Sequence, residues 1–171
     1  MSAELMNDLW AAGERVGAQL KERGETVAVV ESSAGGLISS ALLRVPGASA
    51  YYMGGGVIYT KTSIREIAGI DMKQLWREHK IRSSSEPFAQ RLADSIRSSH
   101  ETTWGLAETG AAGPGNGYGD PAGHSCHAVS GPSPVVMTLR TGEDDRGDNM
   151  IRFAISALNF FAKQLEEPVT A

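Results

Sequence analysis

An apolar, β-branched run, Val27-Ala28-Val29-Val30, ends in Glu31-Ser32-Ser33-Ala34-Gly35-Gly36, and an amphipathic pattern opens at Leu37 and Ile38. A strand that turns directly into a helix leaves backbone N–H groups unpaired at the helix start. With the helix dipole behind them, those groups favour an anion or a developing oxyanion. Ser32 stands where such a site would hold a nucleophile, with the N–H groups near Gly35 and Gly36 as candidate oxyanion donors. The competing reading is that Ser32 or Ser33 only caps the helix. Glu31 either anchors the loop by accepting backbone N–H bonds or contacts a ligand, and anchoring is favoured. A second glycine-rich stretch, Thr109-Gly110-Ala111-Ala112-Gly113-Pro114-Gly115-Asn116-Gly117, follows another apolar run. Its Gly113–Gly117 part either brings backbone close to a phosphate or loosens a long hairpin entry. It is not a Walker loop, since no Gly-Lys-Ser/Thr follows, and it is not a dinucleotide fingerprint opening a helix. The two loops together point to a small-molecule site for a phosphorylated or carbonyl-bearing ligand.

His124, Cys126 and His127 lie close together in one strand-like stretch. Strand side chains alternate, so His124 and Cys126 share a face while His127 points away, which is no ready chelate. No metal is expected, and His124 is read as lining the ligand pocket. Arg146 and Arg152 are read either as phosphate partners or as solvated residues at a helix end.

The elements that must position these residues follow from periodicity. Leu5, Leu9, Val16 and Leu20 recur at helical spacing, and the helix runs to about Arg23 and stops at Gly24. Thr26 to Val30 reads as a buried strand. Leu37, Ile38, Ala41, Leu42 and Val45 form a helical face ended by Pro46-Gly47. Ala50 to Tyr59 reads as a strand in which Gly54-Gly55-Gly56 marks a bulge or close backbone approach. Short helices are expected over Lys61–Ala68, closed by Gly69, and over Met72 to about Lys80, capped by Asp71. Proline at a first helical turn fits a helix from Glu86 to about Ser99. Thr102–Thr109 reads as a strand, and Gly123–Ser130 and Val135–Thr141 as a hairpin joined at Gly131-Pro132-Ser133-Pro134. Asp144-Asp145 starts the last helix, with Ile151, Ile155, Leu158, Phe161 and Leu165 on its core face. Helices and strands alternate early and a hairpin comes late, which predicts a three-layer α/β/α sandwich with a mixed sheet.

With 171 residues and no linker, repeat or low-complexity tract, residues 1–171 are expected to form a single domain. The net charge of −4, with scattered basic residues, gives no reason to expect nucleic acid. One cysteine, Cys126, excludes a disulfide within the chain and suits a reducing compartment. No apolar run approaches the ~20 residues of a membrane span. Met1–Met6 lack a basic n-region and an h-region, so neither membrane nor signal peptide is expected and the expected location is cytoplasmic. The apolar Tyr51-Tyr52-Met53 and an exposed sheet edge leave room for a homo-oligomer.

Glu31-Ser32-Ser33-Ala34-Gly35-Gly36 resembles the E-S-C-T-G-G motif of the CinA C-terminal domain family, the nicotinamide-nucleotide amidases. Val45-Pro46-Gly47-Ala48-Ser49-Ala50 is similar to its V-P-G-S-S-A, and Ser85-Glu86 to the S-E ahead of its long helix. Thr109-Gly110-Ala111-Ala112-Gly113-Pro114-Gly115 resembles its T-G-I-A-G-P-G, Pro121-Ala122-Gly123 its K-P-V-G, and Asp145-Arg146 with Arg152 its G-D-R…R segment. The resemblance spans nearly the whole chain and implies an α/β/α sandwich with a mainly parallel mixed sheet. It also implies hydrolysis of a nicotinamide mononucleotide carboxamide by a serine paired with a lysine. The serine maps onto Ser32. The family lysine, five residues after a strand-end tyrosine, falls on Ile64, and Lys61 stands at an asparagine position. Ser33 replaces a cysteine, Ala34 a threonine, and His124 a threonine.

The first reading is therefore catalysis by Ser32, with Lys61 either a displaced base or a solvated residue at a helix start, and Tyr59 either orienting a substrate carbonyl or packing in the core. Glu31, Gly35, Gly36, Thr109, Gly110, Gly113, Gly115, His124 and Arg146 are the candidate substrate-binding residues. No cofactor is implied, and the expected partner is a small molecule, a pyridine mononucleotide. Ile64 supports an alternative, a CinA-like domain that binds a nucleotide or similar ligand without amidase activity. The altered Ser33, Ala34 and His124 suit a third, hydrolysis of a different small amide or ester.

Overall fold

Strand β1 (Val27–Glu31) is buried along its whole length, as a continuous apolar run requires when helices cover both faces of a sheet. The computed structural model describes residues 2–166; Met1 and residues 167–171, the ends of the expected 1–171 unit, lie outside them. Strand β1 pairs in parallel with β2 (Tyr52–Val57) on one side and β3 (Trp104–Ala111) on the other. Strands β4 (His124–Ser130) and β5 (Val135–Arg140) complete a five-stranded sheet of order β2-β1-β3-β4-β5. Only β4 runs against the others, so the sheet is mixed and mainly parallel.

Val27, Val29, Leu106 and Val129 face a core built from α1 (Ser2–Arg23), α2 (Leu37–Leu43) and α6 (Arg146–Glu166). Ala28, Val30, Ala107 and Ala128 face the opposite core, built from α3 (Lys61–Ala68), α4 (Met72–His79) and α5 (Glu86–Ser99). The result is a three-layer α/β/α sandwich. Among the described residues no helix is long and apolar enough to cross a membrane.

Helix ends follow local chemistry. Asp71 Oδ1 accepts from the Lys73 and Gln74 N–H groups, and Thr60 and Ser63 cap α3 reciprocally. Asp145 Oδ1 accepts from Asp148 N, so α6 begins at Arg146, just past the expected start. Two boundaries differ from expectation for tertiary reasons. Strand β3 extends into the glycine-rich stretch, because Gly110 and Ala111 pair with Ser125 and His124 of β4. Strand β2 is shorter than the apolar run suggested, because Ala48–Ala50 forms a 3-10 turn.

The close approach expected at Gly54–Gly56 falls at Gly55, where a Cβ would lie 1.8 Å from the Val29 carbonyl oxygen. Tyr51 is fully buried, its hydroxyl donating to Leu42 O at 2.6 Å, so Tyr51 offers no apolar surface for self-association.

Candidate functional site

Ser32 is half-buried at the end of β1 and borders a cavity of about 240 Å³. The same cavity is lined by Tyr59 and Lys61, which follow β2, and by Thr109 and Gly110 of β3. Five residues picked from sequence are thus brought to one hollow at the carboxyl ends of adjacent parallel strands, where open α/β sheets place their ligands. Tyr59 and Lys61 are exposed at the rim, and Thr109 is buried in the wall.

The turn bearing Ser32 is held from both sides by buried carboxyl groups. Glu31 accepts from the N–H groups of Gly36, Ile38 and Ser39 at 2.9–3.1 Å and from Ser39 Oγ at 2.7 Å. Glu31 therefore anchors the loop, the reading favoured from sequence, and both of its oxygens are engaged in doing so. It occupies the helix start that the sequence suggested was open to an external anion. Glu108 takes the other side. It accepts from Ser32 N at 3.1 Å, Ala34 N at 2.8 Å and Ser125 Oγ at 2.7 Å, and also from Ser33 Oγ. Complete burial pushes the Glu108 carboxyl up from its ordinary range, and the Ser33, Ala34 and Ser125 hydrogen bonds oppose that shift.

These bonds also settle which amides are available for an oxyanion. Gly35 N donates to Ser32 O and Gly36 N to Glu31, so neither is the free donor expected of it. Among the described residues, Ser33 has the one amide between Ser32 and Ile38 without a hydrogen-bond acceptor.

Gly113, Gly115, His124 and Arg146 lie outside the lining of this cavity. Arg146 donates to Gly113 O, and Asn149 Nδ2 to Ala112 O at 2.8 Å, which staples the loop to α6. Gly115 bridges Pro121, and Asn116 Nδ2 donates to Asp120 at 2.9 Å. His124 is buried, with Nε2 2.9 Å from Ser84 O, so it supports a wall residue instead of touching the hollow.

Sequence reasoning missed several wall residues: Ser83, Ser84, Phe88, Met72 and Tyr118. Ser84 has a φ of 56°, a costly conformation for a residue with a side chain. It is held there by Thr109 Oγ1, which accepts from its N–H, and by Gly110 O, which accepts from its hydroxyl. The consecutive Ser83-Ser84-Ser85 was the available signal, but only Ser85 had a local reading, ahead of α5. Tyr118 is carried in by the loop that Asp120 closes, and Arg82 grips Asp120 with two bonds of 2.6 and 2.9 Å. Against the opposing effect of burial, Arg82 and Asn116 hold the Asp120 carboxyl below its ordinary range. Ile64, at the family lysine position, is nearly buried in the cavity wall.

Known proteins match this chain over most of its length. The CinA C-terminal domain profile matches residues 11–165. A CinA-like protein of Cyanothece sp. is 36% identical over 153 residues, covering 88% of this chain and 36% of that protein. The chain thus spans about a third of the length of that relative. The crystal structure of the competence/damage inducible protein CihA from Agrobacterium tumefaciens superposes with a TM-score of 0.82 at 26% identity, covering 94% of this chain and 96% of that one. A competence or damage-inducible protein from Enterobacter asburiae shares the fold, with a TM-score of 0.82 at 24% identity, covering 92% and 98%.

Proposed function

The chain belongs to the CinA C-terminal domain family, and on that footing we propose that it is a serine amidohydrolase acting on the carboxamide of a pyridine nucleotide. The observation that carries this reading is the cavity shared by Ser32, Tyr59, Lys61, Thr109 and Gly110. Ser32 Oγ attacks the carboxamide carbon and gives its proton to the Lys61 amine. Lys61 passes that proton to the departing nitrogen, so ammonia leaves as the Ser32 ester forms. Water then cleaves the ester, releasing the carboxylate and restoring Ser32. The unengaged Ser33 N–H is the donor for the oxyanion, since the amide after a nucleophile serves this purpose in other hydrolases. Tyr59 at the rim orients the substrate carbonyl.

Ile64 favours a second reading. Its apolar side chain fills the wall where the family places its lysine, and a site of that kind binds the nucleotide without turning it over. Ammonia release from nicotinamide mononucleotide separates the two. The amidase reading expects turnover in the parent protein and a loss of at least about a hundredfold in both Ser32→Ala and Lys61→Ala. Binding of the nucleotide without ammonia release in the parent establishes the second reading instead.

A further inference from the structure

We propose that the Ser32 cavity is one half of a longer site whose other half seats a second nucleobase, so that the ligand is a dinucleotide: two nucleosides joined through a pyrophosphate. This rests on the reading of the Ser32 cavity as the seat of the carboxamide-bearing half. At about 240 Å³ that cavity falls short of the ~300–1,000 Å³ usual for ligand sites. A second hollow of about 360 Å³ adjoins it and shares three of its walls, Lys61, Met72 and Tyr118. A smaller one of about 150 Å³ opens beside Lys61, Met72 and Lys73. The two larger hollows meet at Lys61.

The chemistry changes along this cleft. Around Ser32 the walls are hydroxyl-rich, with Ser83, Ser84 and Thr109. The second hollow is bounded by Trp76, Ile81 and Tyr118. Trp76 and Tyr118 are each about half exposed, at 53% and 50%; Lys80 Nζ lies over the Trp76 ring, 5.7 Å from its centroid, and the remaining aromatic surface is available to a flat ring. Their positions are fixed. Trp76 is on α4, whose Met72 and Leu75 are buried in the core. Tyr118 lies under the Arg82 guanidinium, 5.4 Å from its ring centroid, and that guanidinium is itself paired with Asp120. Arg82 is therefore already neutralised, whereas Lys61 and Lys73 form no salt bridge among the described residues. Asp71, which shares the small hollow, spends Oδ1 on capping α4. Lys73, on the walls of the second hollow and the small one, offers an ammonium to a charged linker, while Lys61 between the two larger hollows stays the base of the proposed reaction. A base stacked on Trp76 suits the far end.

The test compares binding of oxidised nicotinamide adenine dinucleotide, nicotinamide mononucleotide and ADP by calorimetry. The parent is expected to bind the dinucleotide at least about tenfold more tightly than the mononucleotide. ADP alone should bind in competition with the dinucleotide. Trp76→Ala should remove that advantage and ADP binding while leaving mononucleotide affinity within about twofold, and Trp76→Phe should restore both. Trp76 is at the surface, so its removal leaves the core intact. Mononucleotide bound as tightly as dinucleotide, with Trp76→Ala altering neither, overturns the second subsite and leaves the amidase reading standing. Dinucleotide binding that depends on Trp76 but yields no ammonia supports the subsite and overturns the amidase reading.

Discussion

Glu108 is the residue on which the turn carrying Ser32 rests. Its two oxygens take two amides and two hydroxyls from Ser32, Ser33, Ala34 and Ser125. Full burial raises its pKa, so the folded protein keeps a proton that the unfolded chain releases. Stability from this group is fully present below the unfolded carboxylate range, near pH 4.3, and is lost as pH rises toward the higher folded value. Glu108→Gln keeps an acceptor for the two amides and presents its NH₂ to hydroxyls that can rotate. Urea midpoints of parent and Glu108→Gln across pH 4 to 8 should diverge, the parent losing ground as pH rises. A constant difference would refute the assignment. None of this was legible locally, because Glu108 and Ser33 are 75 positions apart. The serine at the family cysteine position gains its meaning only from a partner on another strand. Ser32 was legible, since strand, turn and helix are adjacent in sequence.

At the scale of elements, β2 must lie against β1 if Tyr59 and Lys61 are to reach the Ser32 cavity. Gly55 allows that approach: an added Cβ would sit 1.8 Å from Val29 O, a distance no small adjustment relieves. Gly55→Ala is expected to cost about 3 kcal/mol or more in urea unfolding and to abolish ligand binding with it. Gly117→Ala, whose Cβ would meet nothing within 4 Å, should stay within about 0.5 kcal/mol of the parent. The glycines of β2 announced a close approach from sequence because glycine inside a strand otherwise only weakens it. The start of α2 was harder to read. Whether its amides faced a ligand or a side chain depended on where the Glu31 carboxylate turned, and it turned inward.

For the molecule as a whole, the most consequential buried polar group is His127. It is fully buried in β4, neither ring nitrogen has a hydrogen-bond partner among the described residues, and burial lowers its pKa to about 3. Above pH ~6.5 the unfolded chain is neutral at this position too, and the contribution to stability is fully present. Below that pH the unfolded chain takes up a proton the folded protein refuses, so stability falls by several kcal/mol, on the order of magnitude, as pH approaches 3. His127→Leu should flatten the pH dependence of the melting temperature between pH 6.5 and 4. An unchanged slope would show that His127 is not its source. Asp120 and Glu25, held below their ordinary range, leave a residual acid slope at lower pH. From sequence, His127 was only the residue that pointed away from His124; its isolation follows from α1, α2 and α6 closing over that face of the sheet. The order of strands and helices, the caps at Asp71 and Asp145, and the turn at Ser32 were determined by sequence alone, because each rests on periodicity and bonding within a few residues. Tertiary structure decided which amides remained free, which glycines line the cavity, and that Ser83, Ser84 and Tyr118 wall it. Those outcomes depend on competition for acceptors among groups that only folding brings together.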